Sequence, residues 1–84
     1  MDVYEVAEEY INAFLKALRD TPHRRLVRQY RHIFLTLLNE AKSGKKTKVK
    51  LQVIYNIIDV TAREMGIEMP QEVVKKYADA LKNL

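Results

Sequence analysis

The chain has no cysteine and no tryptophan among its 84 residues, and only two glycines and two prolines. Without cysteine there is no disulfide framework and no thiolate metal site, and nothing signals secretion. So few chain breakers, together with 48% hydrophobic and 31% charged residues, describe an ordered, helix-rich soluble domain rather than a disordered segment. Long apolar runs are missing too: no stretch approaches the ~18 apolar residues of a membrane span, so no membrane partner is expected. The opening segment Met1–Tyr10 is acidic where a secretion signal would be basic and then apolar. The expected location is cytoplasmic, or nuclear if the source is eukaryotic.

A chain this short forms one domain and buries only about 60% of the surface that its unfolded form exposes. A large internal active-site cavity is therefore not expected. Residues 1–84 are read as a single all-α domain, a compact bundle-like array of four short antiparallel helices at about 3–19, 22–42, 48–65 and 70–83.

The first helix is indicated by Val3, Ala7, Tyr10, Ile11, Phe14 and Leu18 at i, i+3, i+4 spacing, with Glu5, Glu8, Glu9, Asn12 and Lys16 opposite. Asp20-Thr21-Pro22 stops it and starts the next, since Thr21 can cap a helix whose first residue, Pro22, needs no backbone N–H. Ser43-Gly44 ends helix two, and Thr47 is the expected cap of helix three. Lys48–Val53 alternates polar and apolar with period two, so a short strand competes there. Continuing to Met65 favours helix, because Gln52, Asn56, Asp59 and Arg63 then share one narrow sector and the remaining surface is apolar. Gly66 and Pro70 separate this helix from a fourth, striped by Val73, Val74, Tyr77, Leu81 and Leu84.

Charge is distributed unevenly along these elements. Residues 1–20 carry a net −3, residues 21–50 a net +8 and residues 51–84 a net −1. The central block holds Arg24, Arg25, Arg28, Arg31, Lys42, Lys45, Lys46, Lys48 and Lys50 against Glu40 alone. With helix two starting at Pro22, Arg28, Arg31 and Lys42 fall within about 40° of Arg24 on the wheel, with Arg25 and His32 farther round. The expected result is a basic ridge roughly 27 Å long, prolonged by the lysines after Gly44. Leu26, Tyr30, Ile33, Phe34, Leu37 and Ala41 face the other way, into the core. Leu35 is an apolar residue inside the basic sector.

Such a ridge suits a polyanion: Arg grips phosphate with paired hydrogen bonds, and loop Lys adds point charge. The partner expected is nucleic acid, DNA ahead of RNA and with little sequence specificity, since Tyr4 and Tyr55 alone could be spared for base stacking. The alternative is an acidic protein surface on which Leu35 would be the apolar anchor. A homodimer or a place in a larger complex fits the wide apolar face of helix three. A blander reading pairs the basic side chains with Glu5, Glu8 and Glu9 across the fold.

Other chemistry finds no support. His23 and His32 would stand on opposite sides of one helix, so they cannot share a metal. Ser43-Gly44-Lys45-Lys46-Thr47 lacks the first glycine, the hydroxyl after the lysine and the preceding strand of a phosphate-binding loop. Ala62–Ile67 resembles the turn of a helix-turn-helix, but the connection is about two residues too long and Glu68 and Glu72 would face DNA, so an ordinary αα-corner is preferred. No catalytic constellation can be assembled, and the chain is read as a non-enzyme without cofactor or metal.

Overall fold

Four α-helices and one 3₁₀ turn make up the computed structural model, which describes residues 2–84. α1 is Val3–Arg19, the 3₁₀ turn is Arg24–Leu26, and the remaining helices are α2 (Val27–Lys42), α3 (Thr47–Glu64) and α4 (Gln71–Lys82). No strand occurs among the described residues, and Lys48–Val53 is helical. The all-α bundle expected from periodicity is the fold observed.

Each boundary has a local cause. The Asp2 carboxylate accepts the Tyr4 N–H at 2.9 Å, satisfying one of the free donors at the start of α1. Thr21 accepts the His23 N–H at 3.0 Å and donates to the Leu18 carbonyl at 2.8 Å, so it ties the chain entering the Arg24–Leu26 turn to the end of α1. The turn itself is not α-helix. Arg24 N–H bonds to Thr21 O and Leu26 N–H to His23 O, an i to i+3 pattern, and α2 begins at Val27 rather than at Pro22.

Gly44, at φ 87°, ends α2 by returning its N–H to Ala41 O. The cap position of α3 is Lys46 in left-handed geometry (φ 51°, ψ 46°), not Thr47, whose hydroxyl instead donates to Ala41 O at 2.8 Å. At the far end of α3, Gly66 (φ 67°) bonds back to Arg63 O and Ile67 to Ala62 O. These two bonds make a Schellman motif, which stops the helix and turns the chain toward Pro70 and α4.

α1 packs against each of the other three helices, while α2 and α4 do not meet. Its buried face is accordingly broad: Val6 and Leu15 join the expected Ala7, Tyr10, Ile11, Phe14 and Leu18. On α2 the buried residues are Val27, Phe34, Leu38 and Ala41, an arc of roughly 60°. Ile33 lies roughly 100° from the centre of that arc and is 36% exposed, so its expected place in the core is not observed.

Aromatic rings join the helices. Phe14 of α1 meets Phe34 and Tyr30 of α2 edge to face at 5.9 and 5.7 Å. Tyr10 of α1 stacks on Tyr77 of α4 at 4.7 Å and on Tyr55 of α3 at 5.7 Å. The buried Tyr77 hydroxyl donates to Leu51 O at 2.6 Å, fixing α4 to α3. Burial raises the Tyr77 phenol well above its ordinary value, with Tyr10 adding to the effect. Tyr10 is raised in the same way, by burial first and then by Tyr55 and Asp59.

Candidate functional site

The later start of α2 divides the basic segment. Arg24 and Arg25 sit on the 3₁₀ turn, and Arg28 and Arg31 on the first turn and a half of α2. All four are exposed. The next basic residue along the helix is Lys42, about 16 Å farther on at 1.5 Å per residue. Between them the outer surface carries no Arg or Lys: His32, Leu35, Thr36 and Asn39 are exposed there. The expected single ridge is thus an arginine cluster and a lysine cluster at opposite ends of α2.

Lys42, Lys45 and Lys46 surround the α2–α3 turn and are exposed. Lys48 and Lys50 do not extend the cluster along one line, because two residues on a helix are about 200° apart. Lys50 reaches back to α2, where its Nζ lies 3.0 Å from Glu40 Oε1 and its side chain is 29% exposed. Lys48 faces α4: it lines a cleft of about 330 Å³ with Gln52, Tyr55, Ala78, Leu81 and Lys82. Lys82 thus shares this cleft with Lys48 as a second positive residue. The sequence carries no signal of this, since the two residues meet only through the packing of α3 on α4.

The ion pairs show which charges are already neutralised. Among the described residues they are Lys50–Glu40, Lys76–Glu9 and Arg63–Asp59. Arg24, Arg25, Arg28, Arg31, Lys42, Lys45, Lys46 and Lys48 make none. Glu5 and Glu8 pair with no basic residue, and Glu9 pairs with α4 rather than with the basic segment. Cross-fold neutralisation by the acidic face of α1, the blander expectation, is not what the helices produce.

Leu35 is 43% exposed, on the same side as Arg28 and Arg31. The tyrosines that could have served bases are engaged inside the fold: Tyr4 donates its hydroxyl to Ala41 O at 3.4 Å, and Tyr55 stacks on Tyr10. His23 and His32 are both exposed, and no group of three or more His, Asp or Glu able to hold a metal occurs among the described residues. Among the described residues no helix is long and apolar enough to cross a membrane.

Compared with known proteins, the chain matches no family model, no curated sequence and no solved structure.

Proposed function

We propose that this chain is a small helical nucleic-acid-binding module, acting alone or as an accessory subunit of a DNA- or RNA-processing assembly, and not an enzyme. The observation that carries the reading is the set of eight exposed Arg and Lys side chains between Arg24 and Lys48 that have no ion-pair partner. Solubility alone calls for mixed signs, whereas this surface concentrates one. Contacts run to phosphate, from the arginine cluster at one end of α2 and the lysine cluster at the other, with duplex DNA preferred and sequence read weakly. The setting is cytoplasmic, or nuclear in a eukaryote.

The test is a fluorescence-anisotropy titration against duplex DNA, single-stranded DNA and structured RNA at several salt concentrations. If five phosphates are neutralised, log K for duplex DNA falls with log salt at a slope of roughly −4.5. Binding that does not respond to salt, or no complex at low salt, rejects the reading.

A second reading, docking on an acidic protein surface, is favoured by one feature, the exposed Leu35 beside the arginines. Leu35→Ala separates the two. It weakens a protein complex by more than about 1 kcal/mol if the leucine is a central anchor, and it leaves phosphate binding nearly unchanged.

A further inference from the structure

α3 has two apolar seams. Leu51, Ile54, Ile58 and Ala62 are buried and form the inner one. About 180° away on the wheel, Val49, Val53, Asn56 and Val60 recur at spacings of four, three and four, the d-a-d-a pattern of a heptad. Val49 is 56% and Val60 50% exposed, the two most exposed large apolar side chains in the fold. Valine loses rotamer freedom in a helix and gains nothing there while it faces water, so a helical seam with Val49 and Val60 exposed and Val53 only partly buried is anomalous unless something covers it.

The charges along α3 indicate what that is. Lys45, Lys46 and Lys48 stand unpaired at its N-terminal end, where Lys50 is already neutralised by Glu40, and Glu64 and Glu68 stand at the other, where Asp59 and Arg63 neutralise each other. Two copies of α3 side by side in parallel would set lysines against lysines. Side by side in antiparallel, the lysine end of each copy lies beside the Glu64 and Glu68 end of the other, so the seam is complementary to itself about a two-fold axis.

We propose that a second copy of this chain covers this face, the outer seams of the two α3 helices packing antiparallel. In that register Val49 lies opposite Val60 of the second copy, and Val53 lies opposite Asn56 of the second copy. The Asn56 side-chain oxygen already accepts the Gln52 amide at 3.1 Å, so it enters the contact partly satisfied. The lysines outnumber the two carboxylates they meet, and the arginine cluster at the start of α2 takes no part. The inference does not depend on what the basic clusters bind.

Light scattering on the full chain, of 9.9 kDa, is expected to give twice the monomer mass. Val60→Lys sets a further positive charge against the lysine-rich end of the second copy and raises the dissociation constant at least about tenfold, halving the mass at moderate concentration. Because Val60 is half exposed, the circular dichroism spectrum stays helical. Orientation is read by cross-linking, which the absence of native cysteine keeps clean. A mixture of Val49→Cys and Val60→Cys chains forms the mixed disulfide. Val49→Cys alone does not, since the two copies of that residue lie roughly 16 Å apart along the axis, beyond the ~7 Å Cα separation that a disulfide spans. A single-chain mass at every concentration up to several hundred micromolar, a dimer indifferent to Val60→Lys, or ready self-cross-linking of Val49→Cys each overturns the proposal.

Discussion

Replacing Tyr77 with Phe removes one oxygen from a fully buried position, and its effect on stability changes sign with pH. Near neutrality the loss is the hydrogen bond to Leu51 O at 2.6 Å, about 1 kcal/mol for a net intramolecular bond. Above about pH 10 a second quantity enters. In the unfolded chain a tyrosine ionises near its ordinary value of about 10, while in the fold burial keeps Tyr77 and Tyr10 neutral to higher pH. The folded state then binds more protons than the unfolded one, so stability is fully present below about pH 10 and falls as pH rises above it. Each phenol contributes a slope approaching about 1.4 kcal/mol per pH unit.

The native chain loses stability through two such phenols, and Tyr77→Phe through Tyr10 alone. The variant begins about 1 kcal/mol less stable, and the two curves are expected to cross between about pH 10.5 and 11. Urea unfolding followed by circular dichroism at fixed protein concentration, from about pH 7 to 11.5, measures both arms. Lysine titration is common to the two proteins and cancels in the difference. A gap that stays near 1 kcal/mol throughout would show that the Tyr77 phenol ionises freely within the fold, and the account of its burial would be wrong.

Two backbone positions of the same handedness give opposite expectations. Lys46→Gly relieves a left-handed residue that carries a side chain and should raise stability by up to about 1 kcal/mol, or about 5 °C in the melting temperature. Gly66→Ala meets no steric obstacle around its new Cβ, yet it should lower stability by about 1 kcal/mol because φ is 67°, with both variants measured by thermal melts at equal concentration. On nucleic acid, the triple reversals Arg24→Glu/Arg28→Glu/Arg31→Glu and Lys42→Glu/Lys45→Glu/Lys46→Glu should each flatten the salt slope on duplex DNA by up to roughly 2.7. A slope changed by only one triple would confine binding to that end of α2.

The helices were legible because their ends carry their own chemistry: Gly44 and Gly66 provide left-handed stops, and Pro70 stands before α4. The start of α2 was not legible, since Thr21-Pro22 opens a 3₁₀ turn and an α-helix equally well and the choice lies in one residue of hydrogen-bond register. Burial was readable as a stripe but not as a width. Val6 and Leu15 flank the stripe on α1 and are buried because that helix touches three neighbours, a fact of assembly rather than of periodicity.

The same distinction governs the candidate site. The sign of the charge between Arg24 and Lys50 is plain from composition, but the direction of each charge is set by the conformation around it. Had Lys48–Val53 been a strand, Lys48 and Lys50 would share a face and the lysines would form one row. As a helix the segment sends them apart, Lys50 to Glu40 on α2 and Lys48 toward Lys82 on α4. The alternation that made the secondary structure ambiguous is thus the same ambiguity that hid the shape of the basic surface. Helix formation at that one segment parts Lys48 from Lys50 and breaks the row of lysines, and it also brings the three valines of the outer seam onto a common line.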